Sequence, residues 1–488
     1  MTYQAGQVVQ VTTVDVAHGG WCVARPDDGP VIFVRHALPG ETVLARVTEV
    51  TSRLARAEAV EILAPSPDRV PVPCPHAGPG GCGGCDWQHA ALPAQRSLKA
   101  TVIRQQLRRL AGLDREVTVE ALPGDEEPGP GLGWRTRVQF AVRPDGAAGL
   151  RAHRSHEVIG IGECLIAHPG INDLGLPGRR WPATASVEAL VATGSGERSV
   201  IITPRRASPR EPILRTGGLP APPSPAGLPD LDRADSVLRR NGQRLTPVRG
   251  RAYLTQWAAG RAWRVSAGAF WQVHPRAADV LTEAVLAALR PRAGDTALDL
   301  YCGAGLFAGA LAPAVGPGGI VAGVEGDAAA VRDARHNLRE WPWARVNKGD
   351  VAAVLSQGGL RAAALPAARL VVADPPRSGL AREVIDYLGA AEHGAARFAY
   401  VSCDPATLAR DIGLLVARGW ALADLRAFDA FPMTHHVECV ATLFFSQVPR
   451  QPHRSRQPRR PSPGAAWISG RRPPGKPGND IDGPSMSP

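Results

Sequence analysis

From about residue 277 onward the chain alternates short apolar runs with helical stretches, and no other feature of the sequence constrains the fold as much. Ala278–Leu289 reads as a helix, Ala297–Tyr301 as a strand, Leu306–Ala312 as a helix, Ile320–Val324 as a strand and Asp327–Arg339 as a helix. Leu370–Ala373 and Phe398–Ser402 follow as buried strands, then Pro405–Val416 as a helix and Val437–Phe445 as a last strand. Strands that are apolar on both faces need cover on both faces, which helices supply. Repeated strand–helix units therefore predict a twisted parallel sheet between helices, an α/β, Rossmann-like domain over residues 266–448.

In such a sheet, ligands bind beyond the carboxyl ends of the strands. Asp299-Leu-Tyr-Cys-Gly-Ala-Gly305 lies where the first strand turns into its helix. Gly303 and Gly305 let the backbone turn sharply there and approach a ligand closely. Because Gly303-x-Gly305-x-x-Ala308 also satisfies the dinucleotide fingerprint, this turn alone admits both NAD and S-adenosylmethionine. Glu325 ends the second strand, where a carboxylate accepts hydrogen bonds from ribose hydroxyls. Asp374-Pro-Pro-Arg377 follows the strand Leu370–Ala373 and brings another carboxylate to the same end, on a backbone stiffened by two prolines. A dehydrogenase has no need of that arrangement; a methyltransferase that sets a target base beside a sulfonium does. Enzymes that methylate exocyclic amino groups carry Asp-Pro-Pro too.

Cys403 ends the next strand at the same edge, just ahead of a helix whose N-cap is Asp404. A helix N-terminus favours negative charge, so the sequence predicts a thiolate. Glu438 stands at the start of the apolar Val437–Phe445 run, where partial burial would raise its pKa into the range of a general base. Together the two suggest a specific chemistry. The C5 carbon of uracil is too weak a nucleophile to take a methyl group directly. A thiolate adding to C6 generates an enolate whose C5 attacks the methyl, and removal of the C5 proton then expels the sulfur. Cys403 is the candidate nucleophile and Glu438 the candidate proton acceptor. Methylation of an amino group needs no such nucleophile, so Cys403 argues against it.

Upstream, five short β-rich stretches (Gln7–Val14, Trp21–Ala24, Val31–Arg35, Glu41–Glu49, Arg56–Ile62) predict a small closed barrel of OB type over residues 1–64. Residues 65–265 form a mixed α+β central domain. It opens on a Pro-rich break and holds a predicted helix at Leu98–Leu110, strands at Thr136–Val142 and Val158–Ile161, and a Pro-rich insertion at about 203–231. The net charge is +11, and residues 449–488 form a basic tail, predicted to be disordered for want of apolar residues. A basic body with a basic tail suits a polyanion such as RNA. No apolar run reaches the ~18–20 residues of a membrane span. Met1–Asp15 lacks the basic and apolar regions of a signal peptide, so the expectation is a cytoplasmic protein, with no membrane and no obligate protein partner.

Gly-Ala-Phe-Trp-Gln272-Val, Asp-Leu-Tyr301-Cys-Gly-Ala-Gly, Val-Glu325-Gly, Asp374-Pro-Pro-Arg, Ser-Cys403-Asp-Pro and His-Val-Glu438-Cys together resemble the bacterial RNA (uracil-5-)-methyltransferases. The resemblance implies a class I methyltransferase domain behind an N-terminal TRAM barrel. It further implies S-adenosylmethionine contacts from Gln272, Tyr301, Glu325 and Asp374, with Cys403 as nucleophile and Glu438 as proton acceptor. Two departures stand out: Leu306 occupies a place where the family often has Asn, and His274 replaces an Asn common after Gln-Val.

Cys74-x7-Cys82-x2-Cys85, with a distant Cys164, offers four thiolates that zinc or an iron–sulfur cluster would each accept. A zinc ribbon expects a second close pair, which Cys164 does not supply. The ribosomal RNA branch of the family resembles this pattern through Cys82-Gly-Gly-Cys-x-x-Gln-His89 and a late Cys ahead of Ile-Ala-His-Pro, although the first gap is longer here. That resemblance implies a [4Fe–4S] cluster on Cys74, Cys82, Cys85 and Cys164, and 23S rRNA as the substrate. Methyl transfer consumes no electrons, so the cluster's expected role is structural or RNA-positioning. The alternatives are a uridine C5-methyltransferase of tRNA, an RNA cytosine C5-methyltransferase, which also uses a Cys nucleophile, and a catalytically idle RNA-binding protein.

Overall fold

The structure is a computed structural model that describes residues 3–26, 29–125, 131–205, 228–356, 367–390 and 394–445. The basic tail and most of the Pro-rich insertion lie outside the described residues.

The first five strands close into a barrel in the order Val8–Ala17, Trp21–Ala24, Val31–Arg35, Leu54–Ala64, Thr42–Val50. Its interior is filled by small side chains, among them Ala24, Ile32, Val34, Val43, Ala45, Ala55 and Ala57, as the narrow bore of a five-stranded barrel requires. Trp21–Ala24 and Val31–Arg35 fall where the sequence places them, Thr42–Val50 is shifted by one residue, and the other two strands run a few residues longer.

A helix, Leu92–Gln106, follows the barrel and its loop. It begins six residues before the predicted start, with Pro93 in its first turn, where a missing N–H costs nothing. The early turn is hidden in the sequence because its buried face carries Gln95 and Lys99, which are polar yet fully partnered. Beyond it stands a seven-stranded sheet ordered Arg244–Arg249, Ser236–Asn241, Arg198–Pro204, Thr184–Val191, Arg137–Val142, Ala148–Arg151, Val158–Gly160.

The last sheet has eight strands: Ala344–Lys348, Ile320–Glu325, Thr296–Leu300, Leu370–Ala373, Arg397–Ser402, Glu438–Phe445, Trp420–Phe428 and Val119–Glu120. The first five are parallel, as predicted. Glu438–Phe445 is antiparallel to both of its neighbours, so the sheet is mixed rather than wholly parallel. The loop 429–437 is too short for the crossover of a dozen or more residues that a parallel return needs. Val119–Glu120, from the region ahead of the domain, seals the far edge beside Ala427 and Phe428. Among the described residues no helix is long and apolar enough to cross a membrane.

Candidate active site

Leu300 pairs with Val324 on one side and Ala373 on the other, and Ala373 pairs with Tyr400. The turns after these strands therefore set Gly303, Glu325, Asp374 and Cys403 along one rim of the sheet. Glu438 opens the antiparallel strand, whose next residue, Cys439, lies opposite Ser402. That reversal returns Glu438 to the same rim.

At one end of the rim the backbone is shaped for close approach. Gly303 (φ 54°) and Gly305 (φ 90°) are both left-handed, a region glycine enters without strain. The Gly303 N–H donates to Glu325 Oε2 at 2.9 Å, and the Asp327 N–H donates to Oε1 at 2.7 Å. Each carboxylate oxygen retains acceptor capacity for a ribose hydroxyl. Asp299 Oδ2 accepts from the Ala308 N–H at 2.8 Å, whereas its Oδ1 is buried with no hydrogen-bond partner among the described residues. Burial, assisted by the charges of Asp374 and Glu325, pushes the Asp299 carboxyl up to about 8. Three carboxyl groups around a Gly-rich turn make a site that gains from a cation. Gln272 is buried, and Leu306 begins the helix Leu306–Val315. His274 bonds Asp125 at 2.8 Å and stacks on Trp134.

Tyr301 is itself left-handed (φ 62°), uncommon outside glycine. It shares a cavity of about 620 Å³ with Asp350, which caps the helix Val351–Leu355 through the Ala353 N–H at 3.0 Å. Asp350 is not among the residues the sequence singles out, because the edge strand Ala344–Lys348 ahead of it is polar; the Gly-Asp pair at its end is the signal the sequence carries.

At the other end, Asp404 caps Pro405–Ala417 as expected, with Oδ1 accepting from the N–H groups of Ala406 and Thr407 at 3.0 and 2.8 Å. The expected thiolate, however, is overturned. Burial, then the charges of Glu438 and Asp374, push the Cys403 thiol up to about 12, against the pull of Arg377. The helix N-terminus does not rescue it, because the Asp404 carboxylate already sits on that positive end. Glu438 is fully rather than partly buried, and burial followed by the charge of Asp374 raises its carboxyl well above the ordinary range. Asp374 is pushed up to about 7 by burial. Arg377, singled out only as part of a motif, is the cation acting on both Cys403 and Glu438, and it approaches His436 at 3.4 Å.

The loop that delivers Glu438 is pinned from outside the sheet. The Asp86 and Trp87 N–H groups both donate to the Met433 carbonyl at 3.0 Å, and Asp86 Oδ2 bonds His435 Nδ1 at 2.6 Å. Lys99, wholly buried, pairs with Asp429 and donates to the Phe431 carbonyl at 3.0 Å.

Cys74, Cys82, Cys85 and Cys164 line one cavity of about 450 Å³. Cys82 feels the charges of Cys164 and Cys74, and Cys85 those of Cys164 and Cys82, so the four are neighbours. They are not drawn together as ligands of one ion: among the described residues no group of three or more His, Cys, Asp or Glu is arranged to hold a metal ion.

Known proteins answer to both ends of the chain. Residues 4–60 match the TRAM domain and residues 364–445 match the tRNA (uracil-5-)-methyltransferase family. An uncharacterized RNA methyltransferase of Streptomyces coelicolor is 51% identical over 449 residues, covering 90% of this chain and 93% of the relative. The chain belongs to the family of these RNA methyltransferases. A second relative, an uncharacterized RNA methyltransferase of Bifidobacterium longum, is 36% identical over 441 residues, 87% of this chain and 94% of its own. The fold is that of a Pyrococcus abyssi tRNA (uracil-54, C5)-methyltransferase solved with S-adenosyl-L-homocysteine, with a TM-score of 0.62 at 21% identity, covering 89% of this chain and all of that one. This RNA methyltransferase thus carries a class I methyltransferase fold behind a TRAM barrel.

Proposed function

We propose that the enzyme methylates C5 of a uridine through a transient bond between Cys403 and C6. The observation that carries this reading is the electrostatic contact of Cys403 with Glu438 and Asp374 on one rim, beside the glycine turn. S-adenosylmethionine supplies the methyl group as a cationic sulfonium. Gly303 and Gly305 admit it closely, Glu325 accepts from its ribose hydroxyls, Gln272 and Tyr301 line its site with Asp350, and Asp299 and Asp374 face its positive charge. The Cys403 thiol gives up its proton to solvent as its sulfur adds to C6, and C5 of the resulting enolate takes the methyl group as the sulfonium C–S bond breaks, leaving neutral S-adenosylhomocysteine. Glu438, whose raised pKa makes its carboxylate form a strong proton acceptor, accepts the C5 proton, and the C6–S bond breaks to return the thiolate. The uridine must leave its stack to reach this rim, and the barrel and basic residues hold the flanking RNA through its phosphates and shape.

Covalent attack is tested with RNA carrying 5-fluorouridine, whose C5 fluorine cannot leave as a proton. A stable protein–RNA adduct is expected from the wild type and none from Cys403→Ala; methylation by Cys403→Ala at the wild-type rate refutes the mechanism. A 5-methylcytidine product would favour the cytosine reading instead.

The substrate we propose is 23S rRNA, on the strength of the four-cysteine cavity, and with it a [4Fe–4S] cluster held by Cys74, Cys82, Cys85 and Cys164. Four thiols without a second close Cys pair lack the pattern of a zinc ribbon, and both zinc and an iron–sulfur cluster accept four thiolates. The cluster would hold the segment 82–89, which pins the Glu438 loop, and takes no part in methyl transfer. Iron and sulfide assays on anaerobically purified protein test it, and stoichiometric zinc without iron refutes it. The names of the matched family and of the Pyrococcus structure favour tRNA instead; mapping 5-methyluridine in rRNA and tRNA from cells with and without the gene decides between them.

A further inference from the structure

In the chemistry above the barrel only holds RNA, yet one turn of it touches the reaction centre. The turn 18–20 joins the strands Val8–Ala17 and Trp21–Ala24. His18 Nε2 lies 3.1 Å from Asp404 Oδ2. Gly20 is left-handed (φ 82°), and a Cβ there would stand 3.1 Å from the side chains of both Asp86 and His435. Its carbonyl accepts from Trp87 Nε1 at 3.2 Å. The turn is therefore wedged between the segment that follows Cys85 and the loop that delivers Glu438.

Asp404 does two jobs with one carboxylate. Oδ1 takes the first-turn amides of the helix, and Oδ2 takes His18. Burial alone would raise this carboxyl, but the bonds from His18, Thr407 and Ala406 hold it at about 2. It is an ionised acceptor at neutral pH, and Cys403 is bonded to it through a single peptide link. A carboxylate fixed at both oxygens fixes its own backbone, and with it the start of the residue before.

Resting on the role given to Cys403, we propose that His18 is a positioning residue for methyl transfer: by holding Asp404 Oδ2 it sets the backbone from which the Cys403 sulfur reaches C6. The barrel then completes the reaction centre as well as gripping RNA. Misplacing a reacting atom by a fraction of an ångström to an ångström costs about ten- to a hundredfold in rate.

The test uses the full chain, wild type against His18→Ala and His18→Gln, the latter keeping a donor that can reach the same carboxylate. Single-turnover methylation, KM for RNA and the rate of adduct formation with 5-fluorouridine RNA are measured, with hydrogen exchange at the amides of Ala406 and Thr407. For His18→Ala the expected result is a loss of about tenfold in kcat and adduct rate, with KM for RNA unchanged within about twofold and faster exchange at both amides. His18→Gln should recover most of the rate. A raised KM with unchanged kcat would make His18 an RNA contact and overturn the proposal, as would a wild-type adduct rate in His18→Ala. Failure of the wild type itself to form adduct removes the role given to Cys403, and this inference with it; that outcome is distinct from a wild type and a variant that react equally fast.

Discussion

A nucleophile held near pKa 12 is ionised to about one part in ten thousand at pH 8. The free enzyme should therefore carry a nearly inert Cys403, silenced by its burial and by Glu438 and Asp374. In the proposed mechanism, binding of the methyl donor places a sulfonium beside those carboxyl groups. At a separation of about 5 Å and an effective dielectric of about 20, one positive charge is worth about 3 kcal/mol, or about a hundredfold in thiolate. S-adenosylhomocysteine has nearly the same shape without that charge, so it separates the electrostatic effect from simple shielding. The assay is alkylation of Cys403 by iodoacetamide, followed by mass spectrometry of the peptide that contains it. Without ligand the rate should climb about tenfold for each pH unit from 7.5 to 10 with no plateau. Saturating S-adenosylmethionine should accelerate it by between about ten- and a hundredfold over saturating S-adenosylhomocysteine. A plateau near pH 7–8 in the free enzyme, or equal rates with the two ligands, would refute the reasoning.

Three further outcomes follow from the packing. Lys99→Met strands the Asp429 charge in the interior and should cost about 3–5 kcal/mol in urea unfolding, most of it recovered by adding Asp429→Leu. Gly305→Ala forces a left-handed alanine whose Cβ meets that of Ala334 at 3.3 Å; calorimetry should show S-adenosylmethionine affinity falling about tenfold or more while RNA affinity holds. Asp404→Ala should cost about 1–2 kcal/mol at neutral pH. Because the Asp404 carboxyl lies at about 2, below its unfolded value, its contribution is complete above about pH 4 and is lost as pH falls through about 2. The stability gap between wild type and variant should therefore narrow in acid, and a gap that widens there contradicts the assignment.

The barrel and the parallel core were legible because their periods are strong: alternation in the short barrel strands, and apolar runs such as Leu370–Ala373 that only a doubly covered strand needs. The central sheet was largely not. Its hairpin Ser236–Asn241 with Arg244–Arg249 turns at an ordinary Asn-Gly signal, but the second strand is almost wholly exposed and reads as a charged loop. The placement of Gly303, Glu325, Asp374 and Cys403 on one rim was legible because strand ends are local. Their chemistry was less accessible: whether Cys403 is a thiol or a thiolate depends on Glu438, 35 positions away, which only the antiparallel return brings near. Local sequence carried the helix N-terminus and suggested the opposite charge state. The contact of His18 with Asp404 spans 386 positions and leaves no trace in either motif.

Val119–Glu120 closes the outer edge of the eight-stranded sheet from a point well ahead of the catalytic half. A fragment cut at residue 266 would lose that cover, together with the helix Leu92–Gln106, whose Ala100 and Ile103 pack beneath it. The strand Trp420–Phe428 would then lose its edge pairing at Ala427 and Phe428, and unpaired edge amides and carbonyls invite self-association. The catalytic half cannot be exchanged like a cassette; whatever inherits it must inherit the chain before it as well.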